Sequence, residues 1–154
     1  MSNDYEIVRA QKEDLEEILK LQYLAYQSEA ALFGSKDIPP LKETIEEVIE
    51  EYKEGTVLKM MCDGKIIGSV RAKEKDGTVY IGKLMVHPEH QKHGYGKRLL
   101  LEVEKYYPGK RYELFTSTRS TDNIRLYHSV GYKEFDQKAV NEELIFVYME
   151  KVKT

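Results

Sequence analysis

The distribution of apolar residues along the chain predicts a protein in which strands and helices are mixed. Apolar runs bounded by turn residues predict strands at residues 5–10, 56–62, 65–73, 78–86 and 112–118. Apolar residues at helical spacing predict helices at residues 12–33, 41–54 and 98–107. On the first helix, one side carries Leu15, Ile18, Leu19 and Tyr26, which is the pattern of a helix that packs on a core.

Turn residues indicate how the central strands are connected. Asp63-Gly64 is a strong hairpin signal between the strands at 56–62 and 65–73, and Asp76-Gly77 turns the chain into the strand at 78–86. These turns predict three consecutive antiparallel strands. A helix precedes the strand at 112–118, so this strand should run parallel to the strand at 78–86. Residues 34–40 are expected to be a break, in which Pro39-Pro40 ends any helix.

A glycine-containing turn lies between the strand at 78–86 and the next helix, where residues 86–97 read V-H-P-E-H-Q-K-H-G-Y-G-K. Glycine lets the backbone bend tightly and lets an anion approach closely. The first turn of a helix presents unpaired N–H groups and a partial positive charge, so this arrangement can form a phosphate cradle. Lys92, Lys97 and Arg98 add positive charge. The alternative is an ordinary connection whose glycines only make the turn.

Two other phosphate-binding motifs are excluded by single positions. The dinucleotide motif G-x-G-x-x-G would need glycine at the position of Leu99. The P-loop motif needs serine or threonine after Gly-Lys, and here Arg98 follows Gly96-Lys97.

The motif Q-x-x-G-x-G after a strand that ends in V-H-P resembles the acetyl-CoA-binding motif of the GNAT superfamily of N-acetyltransferases. A second stretch, residues 121–132, reads T-D-N-I-R-L-Y-H-S-V-G-Y. Its pattern N-x-x-x-Y-x-x-x-G-[YF] resembles the fourth helix of the superfamily, where Asn123 would contact the cofactor and Tyr127 would lie near its sulfur. The segments G-Y-K-E-F and E-L-I-F-V-Y-M-E-K resemble the last two strands. The resemblance covers the second half of the chain well and the first half loosely.

This resemblance implies a fold and a donor. The fold is an α/β (α+β) single domain over residues 1–154, with a mixed, mostly antiparallel sheet of six or seven strands and helices on both faces. The strands at 78–86 and 112–118 would splay apart and admit the pantetheine arm of acetyl-CoA, the acyl-donor cosubstrate, to the backbone of Leu84, Met85 and Val86. The pyrophosphate would be surrounded by Gln91, Lys92, His93, Gly94, Tyr95, Gly96 and Lys97.

The implied reaction is direct attack of a neutral primary amine on the acetyl thioester in a ternary complex. By resemblance, Tyr127 is the acid that protonates the leaving thiolate, and its unperturbed pKa of about 10 suits that role; the alternative is a tyrosine that only packs in the core. The glutamate that many members carry in the fourth strand is absent. Glu113 on the neighbouring strand is a candidate base, and a surface carboxylate or a water chain are the alternatives.

The amine acceptor is a small molecule or a protein in this hypothesis, and Tyr26 and Phe33 are candidates for contact with it, because the superfamily builds its acceptor wall on the first helix. A non-enzymatic alternative is an acyl-CoA-binding or sensing domain that lacks the chemistry. A third alternative is a nucleotide- or phosphate-binding domain that uses the same turn.

Composition and charge limit the classes of partner that we expect. The chain has 154 residues and a formal net charge of −3, which favours neither nucleic acid nor an anionic membrane as a general partner. One cysteine, Cys62, rules out an internal disulfide framework, and the first residues lack the features of a signal peptide, so we expect a cytoplasmic protein. Homodimers are common in the superfamily.

His87, His90 and His93 recur every three residues but have no clear fourth ligand, so we expect no metal site.

Overall fold

A computed structural model describes residues 5–34 and 38–152, with the side chain of Phe33 excepted. Its sheet has seven strands in the order β1-β2-β3-β4-β5-β7-β6. The strands are β1 Tyr5–Arg9, β2 Thr56–Cys62, β3 Lys65–Lys75, β4 Thr78–Val86, β5 Arg111–Ser117, β6 Lys133–Ala139 and β7 Ile145–Val152. All neighbours are antiparallel except β4 and β5, which are parallel. The predicted fold class and the run of three antiparallel strands are confirmed.

Helices cover both faces of this sheet. They are α1 Leu15–Ala25, α2 Gln27–Phe33, α3 Pro39–Lys42, α4 Ile45–Glu54, α5 Tyr95–Glu104 and α6 Thr121–Ser129. One core forms where α1 and α4 pack on β2, β3 and β4 through Ile18, Val48 and Met85. A second core forms on the opposite face, where α5 and α6 pack through Leu99 and Tyr127. None of the helices within residues 5–34 and 38–152 is both long and apolar enough to span a membrane.

The predicted single helix over residues 12–33 is wrong, because the structure divides it. Residues 12–14 form a short 3₁₀ turn, α1 ends at Ala25, and α2 begins at Gln27. Tyr26 forms the junction between the two helices, and its hydroxyl donates a hydrogen bond to the carbonyl oxygen of Leu84 at 3.2 Å. The division therefore coincides with a tertiary contact to β4, which no glycine or proline in the sequence signals.

The break expected at residues 34–40 is confirmed at its start, because α2 ends at Phe33 and Gly34 adopts a left-handed conformation, but the expectation that Pro39-Pro40 belongs to it is wrong. Residues 35–37 of this stretch lie outside the described residues. Proline is tolerated in the first turn of a helix, where its missing N–H would have no intrahelical partner, and α3 begins at Pro39. A second interruption lies between α3 and α4. Thr44 caps α4 by accepting a hydrogen bond from the Glu47 N–H at 3.2 Å, while Glu47 accepts one from the Thr44 N–H at 2.8 Å.

The parallel strands β4 and β5 separate after a short paired region. Only Thr78, Val79 and Tyr80 pair with Arg111, Tyr112 and Glu113. Beyond Tyr80, β4 bulges, because Lys83 and Leu84 lie opposite the single residue Val70 of β3, and Lys83 adopts a φ of 52°. The two strands therefore splay, as the resemblance implies, and leave a gap in the middle of the sheet.

Candidate active site

Two cavities occupy this gap. The inner cavity, of about 220 Å³, lies between α2 and α3 on one side and β5 and β7 on the other. The outer cavity, of about 620 Å³, lies between the end of β4 and the first turns of α5 and α6. Tyr26, Glu29, Leu84 and Asn123 line both cavities, so the two meet at these side chains.

The outer cavity collects most of the residues predicted to hold the donor. These are Leu84, Met85, Val86, Gln91, Lys92, Gly94, Tyr95, Gly96, Lys97 and Asn123. His93 is different: it lines neither cavity, and its exposed ring lies 5.5 Å from the ring of Tyr95. Tyr127 lines the inner cavity instead. The prediction that His93 belongs to the cradle therefore has no support in this geometry.

The cradle is built by a left-handed turn at the start of α5. Gly94, with a φ of 79°, is the N-cap, and the first bond of the helix runs from the Arg98 N–H to the Gly94 carbonyl at 3.2 Å. The three preceding N–H groups, of Tyr95, Gly96 and Lys97, have no partner within the helix. A Cβ at Gly96 would lie 3.4 Å from the Leu126 side chain, so this glycine lets α5 begin close to α6. The turn is suited to an anion.

The backbone of β4 presents alternate residues to the gap. The His87 N–H donates to the Ile67 carbonyl of β3 at 2.7 Å, so the groups of Val86 point the other way, into the gap. The contact from Tyr26 shows that the carbonyl of Leu84 is accessible from the same side. Met85 pairs with Ser69 and its side chain is buried in the core with α1. The backbone of Met85 thus pairs with β3, and its contact with pantetheine stays a prediction that rests on its place in the lining of the outer cavity.

Tyr127 is both a core residue and a cavity residue. Only 6% of it is exposed, its ring packs 6.2 Å from the ring of Tyr132, and it lines the inner cavity. Within the described ranges its hydroxyl has no hydrogen-bond partner. Burial, and then the negative charge of Glu29, raise the pKa of Tyr127, so the hydroxyl keeps its proton at ordinary pH. Asn123 lies one turn earlier on α6 and donates to Thr116 of β5 at 3.3 Å.

Glu113 is not placed to act on an amine in the gap. It lies in the short paired region of β4 and β5, and it lines neither cavity. Its carboxylate accepts a hydrogen bond from Nη1 of Arg111 at 2.8 Å, and Nε of the same arginine donates to Glu150. The expectation that Glu113 replaces the missing strand glutamate is therefore wrong in geometry: the residue type is suitable, but the ion pair holds it at the closed end of the gap.

Glu29 is the carboxylate that the sequence analysis missed. It lies on α2, lines both cavities, and accepts a hydrogen bond from Oγ of the buried Ser120 at 2.7 Å. A signal for it existed, since Glu29 lies three residues after Tyr26, and residues at that spacing share a helix face.

Tyr26, one of the two predicted acceptor-contacting residues, lies at the junction of the cavities. Burial, and then the neighbouring Tyr127 and Glu29, raise the pKa of its hydroxyl. Phe33, the other, ends α2, and its side chain lies outside the described residues.

The three histidines of the turn make local contacts. His87 Nδ1 accepts a hydrogen bond from the Glu89 N–H at 3.1 Å, and the rings of His87 and His90 meet edge to face at 5.7 Å. Among the described residues, no group of three or more His, Cys, Asp or Glu side chains is arranged to hold a metal ion.

Comparison with known proteins identifies the family. Residues 20–153 match the family described as "Acetyltransferase (GNAT) domain", and the chain belongs to it. Among curated proteins, the chain is 26% identical over 134 residues to "UPF0157 protein YqkA" of Bacillus subtilis (strain 168). The match covers 86% of this chain but 38% of YqkA, so the chain spans well under half the length of this relative.

Solved structures share the fold at low sequence identity. The PaiA N-acetyltransferase from Thermoplasma acidophilum in complex with coenzyme A has a TM-score of 0.80 and 21% identity, with 97% of this chain and 99% of that chain covered. The structure of YncA from Salmonella typhimurium with its cofactor acetyl-CoA has a TM-score of 0.74 and 20% identity, with 97% of this chain and 94% of that chain covered. At this level of identity, the two likenesses show the fold.

Proposed function

We propose that this chain is an acetyl-CoA-dependent N-acetyltransferase, which transfers the acetyl group directly to a primary amine of a small molecule or protein in a ternary complex. The observation that carries the proposal is the gap between β4 and β5, because it connects an anion-binding turn to a second cavity. Family membership supports the activity, and the coenzyme A and acetyl-CoA in two structural neighbours support the donor.

The donor fits the gap from the outside inward. The pyrophosphate would accept hydrogen bonds from the N–H groups of residues 95–97, with Lys92 and Lys97 beside it. The pantetheine arm would bond to the backbone of Leu84 and Val86 as an added strand does, because β5 leaves that edge of β4 unpaired. The thioester then reaches the junction of the cavities near Asn123 and Tyr127.

The site contributes to the reaction in three ways. Holding the amine and the thioester together can lower the barrier by about 7–11 kcal/mol in favourable cases. The Val86 N–H, which faces the gap, is a suitable donor to the carbonyl oxygen as negative charge develops there. The Tyr127 hydroxyl, which stays protonated, would donate its proton to the departing thiolate.

Thermal unfolding with acetyl-CoA, CoA, ATP and NAD tests donor binding. A ligand at 100 times its Kd adds about 2.7 kcal/mol to the free energy of unfolding, which raises Tm by about 5–11 °C for a domain of this size. We expect this shift with acetyl-CoA and CoA only. No shift with either, or an equal shift with ATP, would contradict the proposal.

A matched pair of glycines tests the cradle itself. Gly94 and Gly109 both have left-handed backbones, with φ of 79° and 75°, and at both positions an added Cβ meets nothing within 4 Å. Alanine at either position should cost about 1–2 kcal/mol of stability. We expect only Gly94→Ala to weaken acetyl-CoA affinity, measured by calorimetry, since Gly109 lies in the turn before β5. Equal affinities of the two variants would exclude the turn as the cradle.

Product analysis separates an enzyme from a binding domain. Incubation with acetyl-CoA and a panel of primary amines should yield an acetylated amine and one equivalent of free thiol. Tight donor binding without product from any amine would favour the alternative of an acyl-CoA-binding domain.

A further inference from the structure

The residues that line the inner cavity indicate which class of amine it would accept. Resting on the proposed function, we infer that its acceptor is a primary amine carried on an aromatic or similarly flat apolar body, with the ammonium group bound at Glu29. The inference depends on the two walls of the cavity and on the single carboxylate among its described lining residues.

One wall of the inner cavity is aromatic. Phe115 of β5 and Phe146 of β7 line it, and their ring centroids lie 4.8 Å apart. Tyr148 continues the same surface outward, 5.3 Å from Phe115. Phe115 remains 50% exposed, although it is a large apolar side chain beside a cavity. A flat apolar ligand would cover this ring and gain the free energy of burying it.

The facing wall is also apolar. It consists of Ile38, Pro39 and Pro40, and Leu144, which directly precedes β7, also lines the cavity. None of these side chains can donate or accept a hydrogen bond. A polyamine or a sugar amine between the two walls would lose its bonds to water without replacing them, whereas an aromatic ring has none to lose.

Glu29 gives the ammonium group its place. Ser120 holds one carboxylate oxygen at 2.7 Å, and no described residue hydrogen-bonds to the other oxygen. The other charged side chain that lines the inner cavity is Lys83, and its positive charge acts to lower the pKa of Glu51 on α4. Glu29 lines the inner cavity together with Tyr26 and Tyr127, and its negative charge raises the pKa of both hydroxyls.

This placement provides a complete proton balance. The ammonium gives one proton to a Glu29 oxygen and becomes a neutral amine. Its nitrogen forms a bond to the acetyl carbonyl carbon; when the tetrahedral intermediate collapses, the carbon–sulfur bond breaks and the electron pair stays on sulfur. Tyr127 gives its proton to the thiolate and regains one from the nitrogen, directly or through water. Glu29 then releases its proton, so the products are the amide, CoA thiol and one proton.

A substrate panel tests the acceptor class. The probes are 2-phenylethylamine and tryptamine against n-propylamine, spermidine and free lysine, all at saturating acetyl-CoA. We expect kcat/KM for the aromatic amines to exceed that for the others at least about tenfold, because the ring buries apolar area that the others lack. Equal or higher kcat/KM for spermidine, lysine or n-propylamine would overturn the inference while leaving the transferase proposal intact. No acetylation of any amine would overturn both.

A pair of exposed phenylalanines supplies the matched control. Phe115 and Phe135 are 50% and 43% exposed and both contact Tyr148, but only Phe115 lines the inner cavity. We expect Phe115→Ala to lower kcat/KM for 2-phenylethylamine about tenfold and to leave that for n-propylamine unchanged. Phe135→Ala should change neither. Equal effects of the two substitutions would exclude the aromatic wall as the acceptor site.

Glu29→Gln tests the ammonium site with nearly unchanged side-chain volume. It should raise KM for the amine and lower kcat at least about 100-fold, as expected for a group that removes a proton, while acetyl-CoA affinity stays as in the wild type. Glu16→Gln, at an exposed position of α1, is the control. A wild-type KM and kcat for Glu29→Gln would exclude Glu29 from the reaction.

Discussion

The hydroxyl of Tyr127 can be tested by removing one oxygen atom. Tyr127→Phe keeps the ring that packs against Tyr132, so the free energy of unfolding should change little. We expect kcat to fall about 100-fold or more, because the thiolate loses its proton donor, with unchanged affinity for acetyl-CoA. Steady-state rates and calorimetry measure the two effects.

The control for Tyr127 is Tyr106→Phe, which removes the same atom from an exposed tyrosine outside both cavities. It should behave as the wild type in both measurements. Unchanged turnover of Tyr127→Phe, with acetyl transfer shown to limit the rate, would contradict the acid role and leave Tyr127 as a packing residue.

Residue type was easier to predict from the sequence than residue position. The motif around Gly94 and Gly96 located the cradle, because local spacing defines a turn followed by a helix. The carboxylate near the acceptor could not be located in the same way. Glu113 lies on a strand next to the gap but is held by Arg111, while Glu29 reaches the gap from a helix far away in sequence. Contacts of that kind depend on tertiary packing.

Among the elements, β3 is linked to two helices and to the connection between α3 and α4 by one buried cation, the guanidinium of Arg71. The guanidinium of Arg71 contacts Gln22 of α1 at 2.6 Å, Glu43 before α4 at 2.9 Å and Glu51 of α4 at 2.5 Å. We expect Arg71→Ala to lower the free energy of unfolding by about 3 kcal/mol, because it leaves the partly buried carboxylates of Glu43 and Glu51 without their cation. Chemical denaturation measures the loss.

Lys73→Ala is the control on the same strand. Lys73 forms an exposed ion pair with Glu54 at 3.4 Å, and removing it should cost less than about 1 kcal/mol. The Arg71 cluster consists of Arg71, Gln22, Glu43 and Glu51. Similar losses for the two substitutions would show that this cluster does not stabilise the packing of the helices on the sheet.

The contribution of the Arg71 cluster to the free energy of unfolding should depend on pH in the acid range. Burial alone would raise the pKa of Glu43, but hydrogen bonds with Glu51, Arg71 and Gln22 outweigh it and lower the pKa to about 2. The stabilisation by ionised Glu43 is therefore complete above the ordinary value of 4.5 and is lost as the pH falls toward 2. Burial and the hydrogen bond with Glu43 raise the pKa of Glu51. Ionised Glu51 therefore lowers the free energy of unfolding above pH 4.5, which opposes the contribution of Glu43. The difference between wild type and Arg71→Ala should shrink between pH 4.5 and 2.

Strands were predicted closely and helices were not, for a physical reason. Asp63-Gly64 and Asp76-Gly77 set the strand ends through local turn chemistry, and the structure keeps both turns. The division of the first helix at Tyr26 follows a contact to Leu84, which is 58 residues away in sequence. Hydrophobic periodicity continues through such a junction, so it indicates a helical region without showing where the axis changes.

At the scale of the whole molecule, β1–β4 and β5–β7 are joined by three residue pairs of the sheet. If the donor adds backbone bonds on the open edge of β4, amide hydrogen exchange should report it residue by residue. The Val86 amide faces the gap and should become protected when acetyl-CoA binds. The Met85 amide faces β3, so it should be protected with or without ligand and serves as the internal control. Protection that is unchanged at Val86 would contradict strand-like binding of pantetheine.

The same gap has a kinetic consequence. Apart from the Val86 N–H, which would meet the thioester carbonyl, the contacts proposed for the cradle and for the open edge of β4 involve the pyrophosphate and pantetheine, which acetyl-CoA and spent CoA share. After transfer, the product therefore retains nearly all the interactions that held the donor, and it must leave before another cycle begins. Where acetyl-CoA and CoA together saturate the site, the turnover of the protein would depend on the ratio of charged to spent carrier. Its turnover would then follow the acetylation state of the surrounding CoA pool.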